Sequence, residues 1–154
     1  MTNGLHKKRI LFVCSGNSCR SQMAEGWARV LADDELEVLS AGVDAHGMDP
    51  FAVTVMAEAG VDISRQQSKS LSVLTDFRFD YVVTLSERAT QYIRSLSIPI
   101  PIVAVPCESP GPRVIGDVPS PARYRHVRDK IRDDVYALLT RTLRKNRLPT
   151  MALP

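Results

Sequence analysis

Short apolar runs alternate along this chain with stretches in which apolar residues recur every three or four positions. Residues 10–13, Ile-Leu-Phe-Val, predict a buried strand over 9–14, and helical spacing resumes at Met23, Trp27 and Val30/Leu31, carrying a first helix to about Asp33. Residues 37–40 read as a second strand ending at Gly42. Asp49 as N-cap, Pro50 at the first helical position and Gly60 as a stop frame a second helix. Residues 71–77 read as a short helix and 80–85 as a third, buried strand. Ala89, Tyr92, Ile93 and Leu96 mark one face of a third helix. The β-branched run 98–105 carries Pro99 and Pro101, which remove ladder donors, so a fourth strand is expected at the sheet edge, beginning after Pro101. Prolines then place a long loop over 106–121, and Tyr124, Val127, Ile131, Val135 and Leu138 form the stripe of a last amphipathic helix.

Strands alternating with helices argue for a single α/β domain with a parallel sheet covered on both faces, whose ligands sit at the carboxyl ends of the strands. A length of 154 residues at 44% hydrophobic content fits one such domain, with 1–8 as a polar lead-in, 9–143 as the domain and 144–154 as a mobile tail. No apolar run approaches the roughly 20 residues of a membrane span, and residues 1–8 have no apolar region after their basic residues, so a cytoplasmic protein without membrane contact is expected. Three cysteines do not make a disulfide scaffold and fit a reducing compartment. The net charge of +3 is uneven, because residues 123–147 hold nine Arg or Lys against three Asp. The two aromatic residues there, Tyr124 and Tyr136, are too few to interleave with the basic ones for base stacking, which argues for a solvated helix face and against nucleic acid.

The chemistry is expected where the first strand meets the first helix. Cys14 and Arg20 are separated by Ser15, Gly16, Asn17, Ser18 and Cys19, and Gly16 and Asn17 suit the left-handed backbone of a tightly curled loop. Inward N–H groups of such a loop, the positive end of the helix and the Arg20 guanidinium together make a site for a tetrahedral oxyanion, phosphate and arsenate equally. The same field favours a thiolate on Cys14, to which the Ser21 hydroxyl can donate. His46, on the loop before the second helix, reads as a turn-stabilising residue, and Trp27 and Tyr124 read as core.

The stretch Val13 to Trp27 resembles the anion loop of the low-molecular-weight protein tyrosine phosphatase superfamily. Within it, Asn17-Ser18-Cys19 and Gln22-Met23-Ala24-Glu25-Gly26-Trp27 resemble the thioredoxin-coupled arsenate reductase branch more than the phosphatases. Ser40-Ala41-Gly42, His46-Gly47-Met48-Asp49-Pro50 and Ala59-Gly60-Val61-Asp62-Ile63-Ser64 continue the likeness, which covers roughly residues 9–140. The resemblance implies a four-stranded sheet, in agreement with the strand count.

Three departures qualify it. Arsenate reductases of this branch end the third strand on a resolving Cys, with another about two helical turns on; here those positions hold Ser86 and Ile93. Serine forms no disulfide, so the usual three-cysteine relay cannot run. The general-acid Asp of the loop before the last helix aligns with Ser120, leaving Asp117 or Glu108 as substitutes, with Asp117 alternatively bracing the loop. Finally, a potassium-coordinating Asp aligns with Lys69, whose ammonium either supplies the cation's charge beside Glu25 or is solvated in the 66–69 segment, so no metal and no cofactor are expected.

The intact thiolate and arginine imply in-line attack by Cys14 on arsenic or phosphorus while Arg20 and the loop amides hold the equatorial oxygens. An arsenate reductase-like enzyme would then need a non-standard resolving thiol: Cys19, buried under the loop; Cys107, in the proline-rich loop; or an external thioredoxin, glutaredoxin or small thiol. A phosphatase acting on phosphotyrosine or other phosphomonoesters through a Cys14 phosphocysteine needs none. A third possibility is an oxyanion-binding regulatory domain that has lost catalysis.

Overall fold

The computed structural model describes residues 7–112 and 114–143. Strand β1 (Lys8–Cys14) is followed by α1 (Arg20–Ala32), a single 3-10 turn, β2 (Leu36–Gly42), α2 (Pro50–Glu58), a second 3-10 turn, β3 (Tyr81–Thr84), α3 (Glu87–Ser95), β4 (Ile102–Ala104) and α4 (Pro121–Thr142). The sheet runs in the order β2-β1-β3-β4 and every neighbouring pair is parallel.

The pleat sends alternate β1 side chains to opposite faces. Ile10 and Phe12 join the larger core cluster, which includes Met23, Trp27 and Ala28 of α1, Met56 of α2 and Val127, Ile131 and Leu138 of α4. Leu11 and Val13 join the smaller one, with Val82 of β3 and Ala89 and Ile93 of α3. Both faces are therefore covered, which explains why β1 reads as an unbroken apolar run. From β1 the chain first adds β2 on one side, then β3 on the other. The strand order reverses at β1, and the crevice outside its carboxyl end, where Cys14 lies beside Gly42, is where such sheets place ligands.

Asp49 and Pro50 start α2 as expected, the Asp49 Oδ1 accepting from Phe51 N at 2.9 Å, and Gly60 (φ 83°) lies just past its end. β4 begins after Pro101 and lies at the edge. The α4 stripe of Tyr124, Val127, Ile131, Val135 and Leu138 is buried throughout.

Two expectations are corrected. Residues 71–77 make only one 3-10 turn, Leu71–Val73, started by Ser70 accepting from Ser72 N; Leu74 is already extended, and the chain continues into the Phe77–Phe79 edge-to-face pair. On α3 the inner face is Ala89, Thr90 and Ile93, while Tyr92 and Leu96 are exposed. A short helix fits one narrow stripe inside, and the hydrogen bond of Thr90 Oγ1 to Thr84 Oγ1 (2.6 Å) turns position 90 inward and carries the Tyr92 ring off the sheet. Lys8, placed in the lead-in from the sequence, opens β1, whereas residues 1–6 and the expected tail 144–154 lie outside the described residues. Among the described residues no helix is long and apolar enough to cross a membrane.

Candidate active site

β1 ends at Cys14 because the next five residues turn their carbonyls away from the loop centre and bond them to other segments. Val43 N donates to Cys14 O (3.1 Å), Asp44 N to Ser15 O (2.9 Å), His46 N to Gly16 O (2.9 Å) and Asp49 N to Ser18 O (3.0 Å). Gln22 Nε2 takes Asn17 O at 3.1 Å. In a trans peptide the N–H points opposite to the C=O of the same unit, so with these carbonyls tied outward the N–H groups of Ser15 to Cys19 face away from the outer segments. The curl needs Asn17 at φ 48°, and it leaves no room at two glycines. A Cβ on Gly16 would lie 2.8 Å from His46 Cγ, and one on Gly42 would lie 2.7 Å from Asn17 N and 2.8 Å from Gly16 C. His46 is thus packed against the outside of the loop, in agreement with a turn-stabilising role.

The structure brings together Cys14, the loop Ser15–Cys19, Arg20 and Ser21. Cys14 Sγ is buried, 2.9 Å from Ser21 Oγ. Arg20, at the first turn of α1, reaches across the mouth to Cys107 O (2.9 Å). Ser15 Oγ is 3.1 Å from Ser86 Oγ, and Ser86 also caps α3 by accepting from Ala89 N (3.1 Å). The second residue after β3 therefore touches the loop, and here it brings a hydroxyl.

Asn17 is the hub behind the loop. Its Oδ1 accepts from Lys69 N (2.8 Å) and Gln22 Nε2 (3.0 Å), and its Nδ2 donates to Ser21 Oγ (2.8 Å) and Ser40 Oγ (3.0 Å). Here the expectation for Lys69 fails. Its ammonium turns to Gln67 O (3.5 Å), and only its backbone serves the loop. The cation beside Glu25 is Arg29, one helical turn on, at 2.7 Å. Geometry favours Arg29 because residues four apart on a helix face each other. Among the described residues no group of three His, Cys, Asp or Glu is placed to hold a metal ion.

The two further thiols are both buried. Burial, then the charges of Asp49 and Cys14, push the Cys19 thiol well above its ordinary range. Cys107, placed by the sequence in the proline-rich loop, is buried there. Its segment continues from β4 past β3, Cys107 N donating to Leu85 O (3.1 Å), so the side chain packs into the larger core cluster, and burial pushes its thiol up against the opposing charges of Lys130 and Arg20. Trp27 and Tyr124 are core, as expected; Trp27 Nε1 donates to Arg128 O (3.1 Å) and Tyr124 Oη to Asp49 Oδ2 (2.6 Å). Asp117 is held by Arg123 in a two-pronged pair at 2.8 and 3.3 Å, and Ser120 caps α4 by accepting from Arg123 N (3.2 Å). Gln22, Gln66 and Arg29 were missed as parts of the site. The one signal available was a buried-phase polar residue, Gln22, in the first turn of an apolar helix.

A buried thiol at the end of a strand, followed by a loop whose carbonyls are tied outward and, six residues on, by an arginine that opens a helix, defines a Cys-x5-Arg α/β domain. The low molecular weight phosphotyrosine protein phosphatase family model matches residues 9–148, and the chain belongs to that family. It is 53% identical over 81 residues to an arsenate reductase of Bacillus licheniformis, the match covering 53% of this chain and 58% of that protein. It is 51% identical over 85 residues to an arsenate reductase of Halalkalibacterium halodurans, covering 55% and 61%. These matches span about three fifths of the length of those curated relatives. A solved arsenate reductase in the phosphate-binding state superimposes with a TM-score of 0.71 at 30% identity, over 87% of this chain and 98% of that one. A low molecular weight protein tyrosine phosphatase from T. tengcongensis gives 0.74 at 27% identity, over 88% and 99%.

Proposed function

We propose that the chain is a thiolate enzyme that acts on arsenate in the manner of an arsenate reductase. The observation that carries the reading is the set of loop carbonyls tied outward around Cys14, with Ser21 Oγ 2.9 Å from its sulfur. Arsenate enters with its oxygens on the N–H groups of Ser15 to Cys19. Arg20 leaves Cys107 O for two of those oxygens. The Cys14 thiolate attacks arsenic in line, the As–S bond forms, and the opposite oxygen departs as water after protonation. A thiol then attacks the Cys14 sulfur; the S–As pair of electrons returns to arsenic, giving arsenite and a disulfide on Cys14. Cys19 and Cys107 are both held toward the neutral thiol by burial, so an external thiol, small or on a thioredoxin- or glutaredoxin-like protein, is the better resolving nucleophile. The three free cysteines fit a reducing compartment such as the cytoplasm.

One observation favours a second reading, hydrolysis of phosphomonoesters through a Cys14 phosphocysteine. The side chain that touches the loop from the end of β3 is a hydroxyl, Ser86, and hydrolysis requires no second thiol there. In that case Asp117 would have to leave its two-pronged pair with Arg123 to protonate the leaving oxygen.

The deciding experiment assays the protein and Cys14→Ser with arsenate under dithiothreitol, glutathione with glutaredoxin, or thioredoxin, and separately with p-nitrophenyl phosphate. Arsenite formed with one reductant and abolished in Cys14→Ser supports the reductase; persistence in Cys19→Ser and Cys107→Ser supports an external resolving thiol. Cys14-dependent ester hydrolysis with no arsenite under any reductant replaces it with the phosphatase. No turnover of either substrate leaves only an oxyanion-binding role.

A further inference from the structure

A buried hydrogen-bond path runs from the outer face of α1 to Cys14, and its polarity is fixed. The Asn17 amide has one admissible orientation, because Lys69 N–H can only donate and meets Oδ1 at 2.8 Å. Both Nδ2 hydrogens therefore point at serines, Ser40 Oγ at 3.0 Å and Ser21 Oγ at 2.8 Å. At the far end, the Glu25 carboxylate can only accept. Ser40 thus gives its hydrogen to Glu25 Oε1 (2.6 Å) and turns a lone pair toward Asn17. Ser21, already accepting from Asn17, has its single hydrogen left for Cys14 Sγ, 2.9 Å away. Glu25 is only 4% exposed, and its other oxygen is held by Arg29 Nε (3.0 Å) and Nη2 (2.7 Å).

We propose that Arg29 and Glu25 are positioning residues for the Cys14 nucleophile, anchoring the Ser40–Asn17–Ser21 path so that Ser21 reaches the sulfur as a donor. The inference rests on the thiolate reading of Cys14 and carries it to an ion pair that touches no substrate. A hydrogen bond donated to sulfur stabilises the thiolate over the thiol. Glu25 alone would oppose it, since an unpaired carboxylate buried behind the loop repels a second negative charge. Arg29 cancels that charge while leaving the acceptor that holds Ser40. Cys19 on the loop, which feels the charges of Cys14, Arg20 at the start of α1 and Asp49 ahead of α2, lies off this path, as do Arg20 and Asp49.

The test is the pH profile of iodoacetamide alkylation, followed at Cys14 by peptide mass spectrometry on the full chain, with thermal melts alongside. Arg29→Met is expected to slow alkylation about tenfold at pH 6 and to move the profile up by about one pH unit. Arg29→Lys, which keeps the charge, restores most of the rate, and Ser40→Ala, a small change that breaks the path, moves the profile in the same direction by a smaller step. Lower melting temperatures with unmoved profiles in both Arg29→Met and Ser40→Ala would overturn the proposal and leave a structural ion pair. Failure of the thiolate reading looks different: wild-type Cys14 then alkylates only in the alkaline range of an ordinary thiol, whatever stands at position 29.

Discussion

Gly42→Ala is the sharpest perturbation of the anion loop that leaves every functional side chain in place. Gly42 ends β2 opposite Cys14, and an added methyl there lies 2.7 Å from Asn17 N and 2.8 Å from Gly16 C, with Asp44 O closer still. All three are backbone atoms, so no side chain can swing aside. Ordinary contact at roughly 3.5 Å requires the 43–46 segment and the anion loop to separate by close to 1 Å. That segment holds the carbonyls of Cys14, Ser15 and Gly16 outward, so the separation turns the N–H ring off its focus. Overpacking of this kind costs about 1–3 kcal/mol in stability. A misplacement of about 1 Å at a reacting centre costs about 10²-fold in rate. Calorimetric titration with phosphate and with arsenate, turnover of whichever substrate proves active, and a thermal melt read the effects separately. Gly111→Ala is the control, its added methyl meeting only Ser109 Oγ at 3.6 Å. Wild-type oxyanion affinity and turnover in Gly42→Ala, with only the melting temperature lowered, would refute the account of how the loop is held.

Ser120→Asp restores an acid where the family has one and keeps a good N-cap on α4; ester hydrolysis is expected to rise about 10–100-fold on the acidic side of the profile, with an unchanged melting temperature. Equal rates would show that position 120 does not face the leaving group. Tyr124→Phe removes the 2.6 Å hydrogen bond to Asp49 in a buried setting and should cost about 1.5–3 kcal/mol by urea titration; a loss under half of that would mean water replaces the hydroxyl. The Cys19 thiol, held neutral by burial in the fold, ionises in the unfolded chain above its ordinary value of about 8.5, so stability should fall as pH rises past that point. Cys19→Ala should flatten this alkaline slope in melts taken from pH 7 to 10, and an unchanged slope would count against the burial assignment.

The sequence by itself determined the elements and the chemistry that is local to one turn. The apolar run of β1, the caps of α2, the proline-delayed start of β4 and the α4 stripe are each set by neighbours within a few residues, and so is the Cys14-to-Arg20 spacing that fixes the anion loop. What only the tertiary structure decided involves partners brought from far along the chain. Residues 71–77 read as a short helix, yet the chain makes a single turn at Leu71–Val73 and is extended from Leu74. Lys69 serves the anion loop through its backbone N–H to Asn17 Oδ1, 52 residues away, while its ammonium turns to Gln67 O. Cys107 stands among prolines in the sequence, but its bond to Leu85 O beside the parallel strands draws it inside, next to Arg20. Local pattern is set by the turn and the pleat, whose periods are written in the sequence; which backbone group meets the Asn17 amide, and which thiol is buried, depends on distances that exist only after the sheet has closed.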